Sequence, residues 1–342
     1  MPESIISLET VIGQNLIGTC TGNIVKAPSS FVHSVVRSWD FNGTYGYLTG
    51  TCVMTFINTS AGVYNWNTFD ELFSNNADKQ IVFCLGATPD YLVSRAAIGG
   101  SYKGTKGNMC PDDLSGWAVA VSAVVNRAKN TFGRTGLIWQ LWNEIDQSAS
   151  YADTISLLGP YTKATVQAIR AIDPKAIIIG PTLAGANPTA IPFYTAYLIS
   201  SDGAGGQAKN WIDGVCFHYY NQSVAQLSQN EHPIHYCNAW SMFTGALKEI
   251  GVSLPVYMTE TGVLAADTNG WRAYQRRLMT FAALGAKLII GYQYDASSYP
   301  INIYEAQWNE IANILRPGSV ITSFKPGFAK MEIVVDDVRY WL

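Results

Sequence analysis

Short apolar runs alternate with amphipathic stretches along the chain, a pattern that predicts alternating strands and helices. The runs at residues 80–85 (QIVFCL) and 137–141 (LIWQL) are almost entirely apolar, as in strands covered on both faces. Between them, residues 114–130 carry Trp117, Val121 and Val124 at helical spacing. Eight strands are predicted in this way, at residues 15–20, 35–39, 80–85, 137–141, 176–180, 214–217, 256–258 and 288–293.

Helical patterns follow most of these strands and predict helices at residues 67–73, 114–130, 151–172, 192–200, 238–250, 270–284 and 305–315. Eight strand–helix units on one chain predict the α/β class, with a (β/α)8 TIM barrel over residues 1–318. Residues 319–342 include MEIVVDDVRYW, which alternates like a strand. This tail is expected to form a small C-terminal β appendage on the barrel or to connect it to another protein.

Polar side chains stand where several of the predicted strands end. In a (β/α)8 barrel the reactive groups lie at these ends, so the side chains are expected to converge on one face. A carboxylate at the exit of a buried strand is costly unless it has partners or a role in chemistry. The residues concerned are Arg37 and Asp40 after the second strand, Asn143 and Glu144 after the fourth, His218 and Tyr220 after the sixth, and Glu260 after the seventh.

Glu144 and Glu260 are the candidate catalytic pair. They are 116 residues apart in sequence but only three strands apart around the predicted ring. Two facing carboxylates are what glycosidic cleavage requires, since one protonates the leaving oxygen while the other attacks the anomeric carbon or activates water. Arg37 would keep a neighbouring carboxylate ionised, as a nucleophile needs, and Tyr220 or His218 would donate a hydrogen bond to it.

Composition narrows the possible partners. Only 14% of residues are charged and the net charge is -3, which argues against nucleic acid. The 10 Trp and 19 Tyr leave two readings open, a filled core or a groove of flat rings that suits sugars. The sequence has no run of about 18 apolar residues, so no membrane span is predicted.

The N-terminal residues lack the features of a signal peptide, so synthesis in the cytoplasm is expected, with release or action outside the cell left open. The six cysteines show no metal-ligand spacing, and no metal is predicted. Cys84 and Cys216 lie in apolar runs and are expected to be reduced and buried, while a disulfide between Cys20 and Cys52 stays open.

At these strand ends the chain resembles clan A of the glycoside hydrolases, a group of retaining (β/α)8 enzymes. It is most similar to family 39, which includes xylosidases and iduronidases, with family 5 as a neighbour. Six motifs carry the resemblance over roughly residues 14–300. They are Arg-Ser-Trp-Asp at 37–40, Gly-Val-Tyr-Asn-Trp at 62–66 with Phe-Asp at 69–70, Thr-Pro-Asp-Tyr at 88–91, Trp-Asn-Glu at 142–144, His-Tyr-Tyr at 218–220 and Thr-Glu-Thr-Gly at 259–262.

The resemblance implies that Glu144 is the acid/base and Glu260 the nucleophile, and it implies no cofactor. Asn143 would bind the sugar 2-hydroxyl, and Arg37 and Tyr220 would position the nucleophile. Many clan members carry a Trp after the eighth strand, where this chain has tyrosines, which bears on the sugar preference. The remaining residues expected to bind substrate are Trp39, Asp40, His218, Tyr292 and Tyr294.

A different class of function remains an alternative: a non-catalytic carbohydrate-binding barrel, or a phage-type structural or depolymerase component. The missing signal peptide and the strand-like tail favour this reading, because the tail would join the chain to a larger assembly. Both readings predict an oligo- or polysaccharide partner. A second Trp-Asn-Glu at residues 308–310 has helical spacing around it and is expected to lie on a helix surface.

Overall fold

The computed structural model describes residues 6–13, 16–21, 34–38, 54–101, 105–220, 233–262, 270–292, 305–326 and 331–342. Within these ranges the fold is the predicted (β/α)8 barrel, and the α/β class is confirmed. Every one of the eight predicted barrel strands is present, because each buries an apolar run between its neighbours. In chain order the barrel strands are β2 (Ile17–Thr21), β3 (Val35–Ser38), β6 (Gln80–Cys84), β7 (Ile138–Gln140), β8 (Ile177–Leu183), β9 (Gly214–Tyr220), β10 (Val256–Gly262) and β11 (Leu288–Tyr292).

All pairings between neighbouring barrel strands are parallel. The ring closes where β11 pairs with β2, with Tyr292 opposite Cys20. Parallel pairing with a helix between strands brings the carboxyl ends of all eight strands to one face. The side chains predicted at those ends are therefore assembled at one mouth of the barrel.

The helices surround the barrel and cover its outer face. Helix α3 (Leu114–Phe132) is capped at both ends. The Asp113 side chain accepts from Gly116 N at 2.8 Å, and Gly133 ends the helix with a φ of 65°. The described helices are α1 (Met54–Ile57), α2 (Asn67–Asn75), α3 (Leu114–Phe132), α4 (Leu158–Ile172), α5 (Ala190–Ile199), α6 (Pro233–Glu249), α7 (Gly270–Ala283) and α8 (Glu305–Ile314).

Two helix starts differ from the sequence-based prediction. Helix α4 begins at Leu158 rather than at residue 151, because residues 155–157 form a 3-10 helix and the Tyr151 hydroxyl donates to Thr154 O at 2.6 Å before it. Helix α6 begins at Pro233, five residues earlier than predicted, and Pro at the first helical position lacks only an N–H that would have no partner there.

The C-terminal β appendage is confirmed, and it includes a strand from the other end of the chain. β12 (Val320–Lys325), β13 (Glu332–Val335) and β14 (Val338–Trp341) form antiparallel pairs. β1 (Ile6–Val11) pairs with β12, so the sheet order is β1-β12-β13-β14. A short hairpin, β4 (Asn58–Ser60) with β5 (Val63–Tyr64), precedes α2. The division of the chain after residue 318 stays a prediction.

Side chains of the barrel strands alternate between the inside of the ring and the layer beneath the helices. In β3, Val35 belongs to the inner cluster and Val36 to the outer core, which directs Arg37 inward. By the same rule Ile138 directs Gln140 inward. This alternation decides which strand-end groups meet.

Strand β10 breaks the alternation at the residue that matters most. Tyr257 faces the inner cluster and Met258 the outer core, so strict alternation would turn Glu260 outward. The pairing with β9 instead skips a residue, since Met258 lies opposite Phe217 and Glu260 opposite His218. This β-bulge turns the Glu260 side chain into the barrel.

Cys84 and Cys216 are buried and free, as expected. Cys52 and the Cys20 side chain lie outside the described residues, so the possible disulfide between them stays open. Among the helices that the structure describes, none has both the length and the apolar character needed to cross a bilayer.

Candidate active site

Arg37 is the fully buried cation at the centre of the barrel mouth. Its guanidinium donates from Nε to Gln140 Oε1 at 2.9 Å, from Nη1 to Glu260 Oε1 at 2.5 Å and from Nη2 to Asn143 Oδ1 at 2.8 Å. The acceptors come from three different points of the chain, so one side chain of β3 ties the ends of β7 and β10 together. A buried charge is tolerated only when it is paired and hydrogen-bonded, as it is here.

Glu260 is held at both carboxylate oxygens. Oε1 accepts from Arg37, and Oε2 accepts from the Tyr220 hydroxyl at 2.5 Å. Burial and the neighbouring Glu260 charge raise the pKa of Tyr220 well above its usual value, so the phenol keeps its proton and remains a donor. The two contacts together fix the Glu260 carboxyl group in one orientation.

Glu144 sits in a different environment. Its side chain is 13% exposed, and among the described residues no Lys or Arg lies within salt-bridge distance of it. Burial raises the pKa of Glu144 to about 7, against the opposing effect of the Arg37 charge. A carboxyl group whose pKa lies near 7 can keep its proton at neutral pH, as a general acid must.

The backbone at Glu144 is unusual. Its φ of 42° lies in the left-handed region, which costs a non-glycine residue about 1–3 kcal/mol. Bonds on either side hold it, from Ile145 N to Thr182 O at 3.0 Å and from Gln147 N to Glu144 O at 2.9 Å. Backbone strain of this kind persists only where the surrounding structure holds the residue in place, and it is concentrated at active sites.

His218 lies between the two glutamates. Nδ1 is 2.9 Å from Glu144 Oε1 and 3.6 Å from Glu260 Oε2, while Nε2 is 3.2 Å from Thr259 Oγ1. Burial lowers the pKa of His218 to about 3, so the ring is neutral at ordinary pH and these contacts are not ion pairs. A neutral imidazole can donate to the Glu144 carboxylate or accept from its protonated form, because the Thr259 hydroxyl can rotate to suit either tautomer.

Asn143 presents an unpaired donor to the barrel mouth. Its Oδ1 is taken by Arg37, and its Nδ2 is buried without a hydrogen-bond partner among the residues that the structure describes. Buried amide donors are normally satisfied, so a bound group is the natural acceptor.

Tyr292 ends the eighth barrel strand and is 8% exposed. Its ring meets that of Tyr220 edge-on, with centroids 5.9 Å apart. Trp142 is fully buried and donates from Nε1 to Ser150 O at 2.8 Å, which makes it a core residue and not a sugar platform. Three residues predicted to bind substrate, Trp39, Asp40 and Tyr294, lie outside the described residues.

Glu144, His218 and Glu260 bring one potential metal-ligand atom each within 4.8 Å of one another. No other group of three such residues is found in the described part of the chain. Both oxygens of Glu260 already accept strong hydrogen bonds, so the charge of this cluster is balanced by protein donors.

Sequence reasoning did not single out Gln140, which bonds Arg37, or Thr259, which bonds His218. Gln140 carried a signal, because an amide inside the apolar run 137–141 must find partners when the run is buried. Thr259 stood inside a quoted motif, but nothing in the sequence indicated which side chain it would meet.

A closed (β/α)8 barrel with two glutamates at its mouth has the groups that glycosidic cleavage requires. Residues 121–297, which include both glutamates, match the family model described as Cellulase (glycosyl hydrolase family 5). The match spans more than half of the 342 residues, and the chain therefore belongs to glycosyl hydrolase family 5. It is a glycosidase, and the resemblance to clan A is confirmed. No curated protein matches the chain.

Solved structures share the fold at low sequence identity. A family 39 β-xylosidase from Caulobacter crescentus has 15% identity and a TM-score of 0.64, over 96% of this chain and 78% of that one. A family 39 glycoside hydrolase from Bacteroides cellulosilyticus has 13% identity and a TM-score of 0.65, over 96% and 69%. A family 44 endoglucanase from Clostridium acetobutylium has 15% identity and a TM-score of 0.57, over 96% and 85%.

Proposed function

We propose that this glycosidase cleaves β-linked oligo- or polysaccharides with net retention of anomeric configuration. Glu260 is the nucleophile and Glu144 the acid/base. The observation that carries the proposal is the approach of the two carboxylates, with one oxygen of each and His218 Nδ1 all within 4.8 Å of one another. In retaining glycosidases the two carboxyl groups lie closer together, at roughly 5–5.5 Å, than in inverting ones, which hold a water between them.

Bond cleavage starts from a protonated Glu144 and an ionised Glu260. Glu144 gives its proton to the glycosidic oxygen while a Glu260 oxygen attacks the anomeric carbon, so the leaving sugar departs as an alcohol and a glycosyl ester forms. The ionised Glu144 then takes a proton from water, whose oxygen attacks the same carbon and releases Glu260. Each step inverts the carbon once, and the two together retain its configuration.

The surrounding groups supply positioning and charge. Arg37 and Tyr220 hold Glu260 through both oxygens, and Asn143 Nδ2 donates to the sugar hydroxyl next to the reacting carbon. Hydrogen bonds to that hydroxyl that strengthen in the transition state contribute several kcal/mol in such enzymes. Tyr292 borders the bound sugar, and Trp39, Asp40 and Tyr294 are proposed to complete the substrate site.

The stereochemical course tests the proposal directly. A polysaccharide panel is first screened for release of reducing ends, and the first product from an active substrate is then followed by proton NMR. The β-anomer is expected to appear before mutarotation produces the α-anomer. Early α-anomer would contradict retention, and sugar binding without any product would favour the non-catalytic alternative.

The pH dependence of kcat/KM should carry a basic limb with its midpoint near pH 7. Burial raises the pKa of Glu144 to about 7, so the acid holds its proton below that pH and loses it above. Activity therefore falls as pH rises through about 7, and kcat/KM reports this group in the free enzyme. Replacement by Gln, which cannot ionise, should remove the limb; a limb that survives Glu144→Gln would assign it to another residue.

A further inference from the structure

Arg277 is a second fully buried cation, and it belongs to helix α7 in the layer outside the barrel. Its Nη1 donates to Gly262 O and lies 3.3 Å from Thr261 Oγ1, to which it also donates. Thr261 and Gly262 are the two residues that follow Glu260 in β10. A cation of the helical layer therefore holds the strand directly beyond the proposed nucleophile.

The Thr261 hydroxyl extends this contact to β9, because its Oγ1 donates to Tyr219 O at 2.9 Å. A guanidinium can only donate, so the hydrogen bonds run in one direction, from Arg277 to Thr261 and on to Tyr219. The guanidinium carbon also lies 5.2 Å from the centroid of the Tyr219 ring and 5.8 Å from that of Tyr236 in α6. At these distances a cation is attracted to an aromatic face. One side chain thus joins the ends of β9 and β10 to two helices.

These contacts lie immediately beyond the β-bulge. The pairing of β10 with β9 skips a residue before Glu260, and it resumes with Glu260 opposite His218 and Thr261 opposite Tyr219. Because side chains alternate along a strand, Thr261 and Tyr219 face the helices while Glu260 and His218 face the barrel. The pair that Arg277 contacts is therefore the next one after the pair that carries the site groups.

The hydrogen-bond chain can form in only one of the two registers open to this strand. Without the bulge, strict alternation would turn Glu260 towards the helices and Thr261 into the barrel, out of reach of Arg277. With the bulge, Thr261 faces the guanidinium and the contacts described above are made. The contacts of Arg277 therefore stabilise the register in which Glu260 faces inward.

We propose that Arg277 is a positioning residue for the nucleophile: by holding Thr261 and Gly262 from behind, it keeps β10 in the bulged register and Glu260 at the barrel mouth. This inference rests on the proposed role of Glu260. Arg277 acts through the strand and does not touch the substrate.

Two variants weaken the contact in different ways. Thr261→Val removes the hydroxyl that links Arg277 to β9 with little change in side-chain shape. Arg277→Lys keeps the positive charge but lacks the planar fork that serves two acceptors at once. Since the first variant leaves the buried cation in place, it carries the test if the second does not fold.

A 2,4-dinitrophenyl 2-deoxy-2-fluoro-β-glycoside, built on the sugar that the substrate screen identifies, separates positioning from stability. A Glu260 oxygen displaces dinitrophenolate from its anomeric carbon, and the fluorine makes hydrolysis of the resulting glycosyl ester slow. The burst of dinitrophenolate therefore has a rate that reports attack by Glu260 and an amplitude that counts competent sites. This leaving group departs without a proton, so Glu144 does not enter the measurement.

Both variants are expected to lower the burst rate by about 10–100-fold, as small misplacements of a reacting group do, while the amplitude stays at its wild-type value. A role in stability alone predicts the reverse, with fewer competent sites that each react at the wild-type rate. A burst rate within about 2-fold of wild type in both variants would overturn the inference, whatever the amplitude.

Thr165→Val is the matched control for Thr261→Val. Thr165 is a fully buried threonine of α4, and its Oγ1 accepts from Trp117 Nε1 at 2.8 Å and donates to Tyr161 O at 2.7 Å. The same kind of hydrogen-bond relay is lost within the helical layer, so thermal unfolding should shift while the burst rate does not. An equal fall in the burst rate of this control would show that general loosening of the fold is the cause, and would also overturn the inference.

Peptide mapping of the trapped sugar distinguishes this inference from the proposed function. A wild-type enzyme that gives no burst, or that carries the sugar on a residue other than Glu260, would refute the proposed function and the inference with it. A wild-type burst with the sugar on Glu260, beside unaffected Thr261→Val and Arg277→Lys variants, would refute only the role of Arg277.

Discussion

Glu260→Ala is expected to lower the turnover of an aryl β-glycoside by at least about 10⁴-fold while leaving the fold intact. The variant lacks the oxygen that attacks the anomeric carbon, and no other described carboxylate accepts hydrogen bonds from both Arg37 and Tyr220. Steady-state kinetics measure the loss, and circular dichroism with thermal unfolding confirms that the protein remains folded.

Azide should restore turnover of Glu260→Ala and identify the role of the missing group. The small anion fits the space vacated by the carboxylate and attacks the same face of the sugar. The product is then an α-glycosyl azide from a β-glycoside, inverted because only one displacement occurs. A β-glycosyl azide, or a variant that retains wild-type turnover, would remove Glu260 from the nucleophile role.

Glu144→Gln should produce a loss that depends on the leaving group. A poor leaving group needs a proton, and general acid catalysis contributes about 10²–10⁴-fold, so kcat/KM for such substrates should fall by that factor. A 2,4-dinitrophenyl glycoside departs without protonation, and its kcat/KM should fall far less. The comparison is made at pH 6, where the raised pKa of Glu144 keeps the wild-type acid protonated.

Glu310→Gln is the matched control for this prediction, because Glu310 closes the second Trp-Asn-Glu of the chain. It lies on helix α8, where Gln275 is its hydrogen-bond partner among the described residues. Wild-type kinetics are expected for every leaving group. Equal losses in Glu144→Gln for good and poor leaving groups would show that Glu144 is not the acid.

Much of the barrel was predictable because its strands are buried on both faces. Continuous apolar runs such as residues 80–85 and 288–293 can be satisfied only between other strands and a helical layer. The appendage was predicted in part. Its strand Ile6–Val11 carries Ser, Glu and Thr among its apolar residues, and its partner β12 begins more than 300 residues later, so no local pattern reveals the pairing.

The sequence predicted the strand-end groups but not their contacts. Arg37 was expected near a carboxylate, yet its partners also include Gln140 and Asn143, which reach it from the end of β7. Hydrogen bonds of this kind depend on atomic positions contributed by distant segments. A polar residue inside an apolar run indicates that partners exist without saying which they are.

The sequence by itself determined a parallel barrel whose polar groups gather at the carboxyl ends of its strands, because burial and strand periodicity are local properties of the chain. Only the tertiary structure decided that Glu260 faces inward. Strict alternation along β10 would turn that side chain outward. It faces the barrel because a bulge shifts the pairing of β10 with β9 by one residue. Register is set between strands and not within one, so no reading of residues 256–262 alone could have supplied it.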